Sequence, residues 1–445
     1  MNDNLMELNE FQREIELLSE QLNSYLHHQE AIIYMMNNLK AASQTYNSID
    51  QEATRLFEHI GYSRINMQTK KSILMLVKDV VENENTDESL NPPGLHELFE
   101  EFEEAGIHPY SAIQSYEFIR KSDIATRRGI YDILLNSLFI ACVSHFEHYY
   151  RNILITLYFK NNKVLDELGK SYTIKDVRRH DSIEHLMETV VHEQVEGVMR
   201  GDVYEWEKNF RRVAEARLDW VDDAVVEVFK RRNAHVHTEG YANKDYLEFI
   251  LKSKTKFRNI DKAEVEDNQE DYYLEVSESY ILSVLDIMAS KSIEIAFHTR
   301  KYLFNKSFDT EGDSAKFDYF DLEIDDISHS LLRQGRYEAV IGMQKKLEPL
   351  LFRSSTREAL RVNHFCAIKA TTSSKDIEKF YKEVESWDIT ALSDIFKLVK
   401  LSLLDRMEEA AKLFWDLVNR KSILGIELMT FEALKNLKEF MQTEA

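Results

Sequence analysis

Helix breakers are scarce in this chain: its 445 residues include only 4 prolines and 12 glycines. Proline removes a backbone N–H and clashes with the preceding turn, and glycine costs conformational entropy, so their scarcity favours helix. All four prolines (Pro92, Pro93, Pro109 and Pro349) lie outside 110–348. β-branched alternation is also rare there, which predicts helices joined by polar loops and an all-α fold. Cysteine is nearly absent. Cys142 and Cys366 each sit inside an apolar helical pattern, which excludes a disulfide framework and a cysteine metal site and points to a reducing compartment. There is no run of about 18 apolar residues, and the opening MNDNLMELNE has neither a basic nor an apolar leader region. The expectation is therefore a soluble, cytoplasmic chain without a membrane span. A glycine-rich phosphate loop is missing, which disfavours a nucleotide-hydrolysing engine. Positive charge is in deficit: 56 Lys and Arg face 78 Asp and Glu, a net charge of −22. That balance excludes a surface coated for general nucleic-acid binding, so any RNA or DNA site has to be local.

What is present is enough for two or three domains with sizeable cores. In the first segment, 1–91, Leu8, Phe11, Ile15, Leu18, Leu22, Tyr25, Ile32, Met36 and Leu39 recur at three- and four-residue spacings, broken once by Gln29. This is a heptad seam. Ser48 and Gln51 have capping-box spacing ahead of a second helical run to about Val81, which predicts a long helical hairpin packed on its own chain or a dimerising coiled coil. Pro92 and Pro93 end that pattern. The second segment, 92–310, holds the most apolar helix, 131–158, and further helices expected at 181–200, 203–238 and 272–304. Beyond the acidic stretch FDTEGDSAKFDYFDLE, read as a linker, the third segment, 311–445, is expected to form paired short helices. GRYEAVIGMQKKL from Gly335 and DRMEEAAKLFWDL from Asp405 align Val340 with Ala410 and Leu347 with Leu417, two periods of 35 apart. That period resembles tetratricopeptide repeats, which present a partner-binding surface rather than chemistry.

The densest chemistry is FKRRNAHVHTEG, 229–240. Val221, Val225 and Val228 mark an inward face on which Arg232 comes next. A guanidinium keeps its charge, so on that face it needs a carboxylate or a bound anion. Asn233 and His237 stand four apart on an adjoining face, with Gly240 placed as a C-cap. His237 falls in the last turn, where the helix dipole favours the imidazolium, suiting a group that exchanges a proton near neutral pH. Arg232 and His237 diverge by about 140° on an ideal helix. Two such helices antiparallel about a two-fold axis would bring each Arg232 toward the partner's His237. His235 and His237 invite a metal reading, but on a helix they diverge by about 160° and no third ligand follows at a useful spacing, so neither a metal nor another cofactor is expected.

Arg232-Asn233-Ala234-His235-Val236-His237 resembles the hallmark of HEPN domains, helical bundles carrying Arg, four to six residues, then His, with Asn or Asp commonly after the Arg. The family motif follows a long apolar helix bearing an acidic residue, and LLNSLFIACVSHFEHYYRNIL with Glu147 is similar. The likeness spans roughly 113–305 and departs from the compact bundle by an insertion of about 45 residues. A second match to the loose pattern, Arg179 to His185, lacks the Asn and precedes its helix. The resemblance implies a metal-independent endoribonuclease with a site shared by two HEPN domains, of the kind found in toxin–antitoxin, abortive-infection and antiviral systems. An RNA 2′-hydroxyl would attack its own phosphate, with His237 moving protons and Arg232 stabilising the phosphorane. Asn233 would orient the histidine or the backbone, and Glu147 would position Arg232 or a histidine. Lys230, Arg231, Arg211 and Arg212 would supply local positive field. Two plainer readings stand beside these: a solvated stripe of Ser144, Glu147, His148 and Arg151 with a Glu147–Arg151 pair, and a catalytically inactive helical adaptor whose repeats hold a protein partner.

Overall fold

The computed structural model describes residues 2–45, 109–161, 180–255, 272–307, 314–351, 354–421 and 431–443, with single positions between 53 and 77 and at 163, 164, 177 and 257. The fold is all-α. Among the described residues there is no strand, and an isolated antiparallel bridge joins Tyr241 to Tyr273. Ser48, Gln51, Pro92, Pro93 and Arg179 lie outside the described residues. The helices are α1 Asn2–Thr45, α2 Pro109–Lys160, α3 Ile183–Met199, α4 Val203–Val213, α5 Asp223–His237, α6 Lys244–Lys252 and α7 Glu278–Ser307. They continue as α8 Ser314–Arg333, α9 Tyr337–Leu347, α10 Ser354–Thr371, α11 Ile377–Ser386, α12 Asp394–Leu403, α13 Met407–Asn419 and α14 Lys435–Thr443. No described helix is long and apolar enough to cross a membrane.

The chain divides into two compact units. One holds Met1–Gln29, Ala141–Glu275 and Ser279–Ala445, and the other Glu30–Ile140 with Val276–Glu278. In the smaller unit, Ile32 and Met36 of α1 and Tyr116, Leu135 and Phe139 of α2 are buried. In the larger, the seam residues Ile15, Leu18, Leu22 and Tyr25 are buried against the chain's own bundle. Tyr25 stacks on Tyr149 at 5.1 Å and meets Phe146 edge-on at 6.2 Å. Ile15, Leu18, Leu22 and Tyr25 of the seam therefore pack on residues of their own chain, and most of the second arm of the expected hairpin lies outside the described residues. Gln29, which interrupts it, is buried because its side chain bonds both ways, donating to the Tyr25 hydroxyl (2.5 Å) and accepting from Arg336 (2.6 Å).

The larger unit is centred on an aromatic cluster from α2, α4, α5 and the α4–α5 loop. Tyr150 stacks on Trp206 at 5.4 Å, Phe146 lies 5.7 Å from Trp220, and Phe229 meets Trp206 edge-on at 5.3 Å. The single helix expected over 203–238 is two helices. No Gly or Pro marks the break; side chains make it. Glu215 takes a left-handed φ of 48°. Glu207 accepts from the Val221 N–H (2.9 Å), and Arg211 donates to the Leu218 carbonyl (2.8 Å). Asp222 then caps the new helix by accepting from the Val225 N–H at 3.1 Å. The acidic stretch read as a linker is likewise helical from Ser314, since nothing after Gly312 breaks the chain before Gly335.

The third segment forms the expected helix pairs, and its two aligned copies share backbone geometry. Gly335 and Asp405 both take left-handed φ values, 74° and 57°. The following Arg336 and Arg406 have nearly the same dihedrals, and each closes its turn on the carbonyl five residues back, Leu331 and Leu401. Val340, Leu347, Ala410 and Leu417 are all buried. The middle copy departs from the period, with helix starts at Tyr337, Ile377 and Met407 and therefore spacings of 40 and 30 residues.

His298 on α7 provides a pH test. Burial, with Lys301 and Lys346 nearby, lowers its pKa to about 4. The fold thus favours the neutral ring, while an unfolded histidine titrates near ~6.5. Its contribution to stability should be complete above about pH 6.5 and lost as pH falls toward 4. In urea titrations across that window, His298→Gln should show a shallower fall in unfolding midpoint than the parent protein; parallel profiles would refute the assignment.

Candidate active site

Helix α5 carries most of the residues singled out by sequence. Its buried face is Val225, Val226, Val228, Phe229 and Ala234, and it also includes the charged pair Glu227 and Arg231. Phe229 packs edge-on against Phe146 of α2 at 6.1 Å. Glu147 follows Phe146 directly, and Arg232 lies nearly one turn beyond Phe229. The ring contact thereby brings the two charged side chains together, and Arg232 forms an ion pair with Glu147. Their side chains are 18% and 26% exposed. Glu147 is thus engaged across helices, and the Glu147–Arg151 pairing expected along α2 does not form. Arg151 instead bonds Glu196 (2.7 Å) and approaches His192 Nδ1 (3.3 Å).

The Arg232 guanidinium sits 5.9 Å from the centre of the Phe229 ring. Its Nε is buried without a hydrogen-bond partner. Burial pulls its pKa below the ordinary arginine value, although a guanidinium still remains charged in proteins. The group is therefore cationic, half-buried, anchored on one edge by a carboxylate and unsatisfied at Nε.

Arg231 corrects the expectation that it adds field for a substrate. It is 1% exposed and completes a buried network. Arg231 Nε donates to Glu227 (2.7 Å), and its other nitrogens reach the Glu275 carbonyl (2.8 Å) and the Tyr246 hydroxyl (3.3 Å). Tyr246 and Tyr280 both donate to Glu227, at 2.7 and 2.8 Å, and Arg231 lies over the Tyr280 ring at 4.1 Å. Glu227 within AVVEVF was the sequence signal for this network: a carboxylate on a greasy face, four residues before an arginine.

The other basic residues are also engaged within the chain. Arg211 pairs with Glu207 and Asp219 and holds the α4–α5 loop, so its charge is compensated. Lys230 pairs with Asp245. Among the described residues Arg212 bonds only neutral acceptors, the Tyr158 hydroxyl (3.0 Å) and Asn209 (3.2 Å), and it stays exposed. Of the four expected field residues, Arg212 alone is in no ion pair among the described residues.

Asn233 and His237 are exposed, and neither makes a hydrogen bond to Arg232 or Glu147 within the chain. His235, two residues from His237, faces another way. Its Nε2 donates to the Leu274 carbonyl at 2.8 Å, and burial lowers its pKa. Helix α5 ends at His237, and Gly240, with φ 89°, turns the chain so that its N–H reaches the Ala234 carbonyl (3.1 Å). The chain thus assembles Glu147 with Arg232 and presents His237 and Asn233 outward at the helix end. Comparison with protein-family models, with curated proteins and with solved structures finds no match to this chain.

Arg231→Met should be strongly destabilising, by about 3–5 kcal/mol, because it strands a buried carboxylate. Combining it with Glu227→Gln should recover much of that loss. Thermal unfolding of the two variants checks this, and equal midpoints for the single and double variants would contradict a coupled pair.

Proposed function

We propose that the chain is a metal-independent endoribonuclease of the HEPN kind, acting as a homodimer whose site combines Arg232, Asn233, His237 and Glu147 of two copies. The observation that carries the reading is the Glu147–Arg232 pair. Two residues that the family resemblance links, 85 positions apart in sequence, meet at a half-buried cation. A guanidinium fixed on one side by a carboxylate is oriented to receive a phosphate on the other. Its positive charge would stabilise the extra negative charge of a pentacoordinate phosphorane.

In the reaction, the RNA 2′-hydroxyl loses its proton to one His237 imidazole as its oxygen bonds to the adjacent phosphorus. The bond from phosphorus to the 5′-oxygen breaks, and that oxygen takes a proton from the His237 imidazolium of the partner subunit. The products are a 2′,3′-cyclic phosphate and a free 5′-hydroxyl. Exposure of His237 in one copy suits a role completed by a second. Asn233, on the same helix face, would hold the imidazole or the RNA backbone. Arg212 supports the reading as an exposed cation. A toxin or antiviral effector role follows from the family resemblance alone, and the C-terminal repeats would hold a protein partner.

The adaptor reading is favoured by one observation: Arg211, Lys230 and Arg231 are all neutralised inside the chain. In that reading Glu147–Arg232 is a structural brace. Incubation of purified protein with RNA in excess chelator separates the two. Cleavage leaving cyclic phosphate ends is expected, with His237→Ala and Arg232→Ala each reducing the rate by about 10²-fold or more and Glu147→Gln reducing it less. Absence of cleavage, or cleavage that survives both substitutions, would remove the nuclease and leave the adaptor.

A further inference from the structure

Directly after His237 the chain closes a tight turn, in which the Tyr241 N–H reaches the Thr238 carbonyl at 2.9 Å. It then pairs with the segment entering α7: the Ala242 N–H donates to the Tyr272 carbonyl (2.9 Å) and the Leu274 N–H to the Gly240 carbonyl (2.9 Å). This short antiparallel pairing places Tyr241 and Tyr273 together at the surface, 47% and 42% exposed. Their ring centres are 5.5 Å apart in an edge-to-face arrangement. The pairing is sterically specific. A Cβ at Gly240 would lie 2.7 Å from Tyr273 Cε2 and 2.9 Å from His235 Cε1, so glycine is required both by φ and by the space the two rings occupy. His235, through its bond to the Leu274 carbonyl, fixes the segment from below. Val236, in the last turn of α5, is also an exposed apolar side chain, at 48%.

We propose that Tyr241 and Tyr273 form a stacking platform for a nucleobase of single-stranded RNA, holding the nucleotide beside His237; this rests on the nuclease reading above. A chain of net charge −22 repels RNA at long range, and the platform itself is flanked by the exposed carboxylates Glu239 and Glu275. Affinity here has to come from contacts that do not depend on phosphate charge. Base stacking on an aromatic ring is such a contact, and every base offers a π face. Lys244, exposed and in no ion pair among the described residues, follows three positions after Tyr241 and would be the cation for a phosphate next to a stacked nucleotide. The two tyrosines expose about 200 Å² in all, taking roughly 150–250 Å² for an aromatic side chain. That area fits one or two bases and falls well below the ~800 Å² per partner of a stable protein interface.

The test uses the full chain with a mixed-sequence 2′-O-methyl RNA oligonucleotide, which cannot be cut, so that binding is read apart from cleavage. Tyr241→Ala and Tyr273→Ala should each weaken binding by about 5- to 150-fold, whereas Tyr241→Phe and Tyr273→Phe should retain it. An oligonucleotide with an abasic site at the stacked position should bind the parent protein less tightly but the double alanine variant no differently. A 4-thiouridine oligonucleotide should photocrosslink to Tyr241 or Tyr273. If the alanine variants bind as the parent does while RNA is still cleaved, the platform is wrong and the nuclease stands. If binding depends on the tyrosines but no cleavage occurs, the nuclease is wrong and the platform stands. Loss of dimer mass in the alanine variants, with RNA affinity per dimer unchanged, would overturn the platform in favour of a contact between copies.

Discussion

A carboxylate and a guanidinium buried together, Glu227 and Arg231, fix the rotation of the helix that carries the site. Neither charge can leave the core alone, because an isolated ion in that setting costs several kcal/mol. Two tyrosine hydroxyls and a backbone carbonyl saturate the pair, which permits one helix orientation. With Arg231 locked inward, Arg232 is turned roughly 100° away, toward α2. The Phe146–Phe229 contact then determines which α2 residue it meets. His237, about 140° further round, is turned to solvent.

The same economy of positive charge runs through the larger unit. Most arginines near α5 are committed to carboxylates or carbonyls, and these bonds shape loops. Arg211 and Glu207 make the break between α4 and α5, while Lys291 reaches the Asp222 cap at 2.6 Å. Long-range attraction of a polyanion is therefore weak, and under the proposed nuclease reading recognition of RNA would be short-range. A half-buried guanidinium, an exposed imidazole and two tyrosine rings are groups of that kind.

Much of the helical architecture was legible in the sequence. The seam from Ile15 to Tyr25 shows at heptad spacing because burial selects apolar residues at that period. The aligned repeats show because the same turn recurs at Gly335 and Asp405. Arg232 stood out because it follows an apolar stripe, and Glu147 because the family resemblance places an acidic residue on the preceding apolar helix; the two pair in the fold. Other features were hidden. The α4–α5 break carries no glycine or proline and depends on side chains that bond only once folded. Arg231 was expected to supply field for a substrate; Glu227, four residues earlier, was the local sign of a buried pair, but the tyrosines that complete the network, Tyr246 and Tyr280, lie 15 and 49 residues away. The helix beginning at Ser314 was masked by acidic composition, which suggests a linker.

The Arg336 side chain has a wider consequence for dissecting the protein. It starts the first repeat, yet its bonds run to Gln29 in the N-terminal helix and, at 2.8 Å, to Asp286 in α7. Repeats and bundle share this buried anchor, so they are not interchangeable cassettes. A chain ending before residue 336 would leave an amide and a carboxylate without their cation, and its behaviour would report on damaged folding as much as on a missing docking surface.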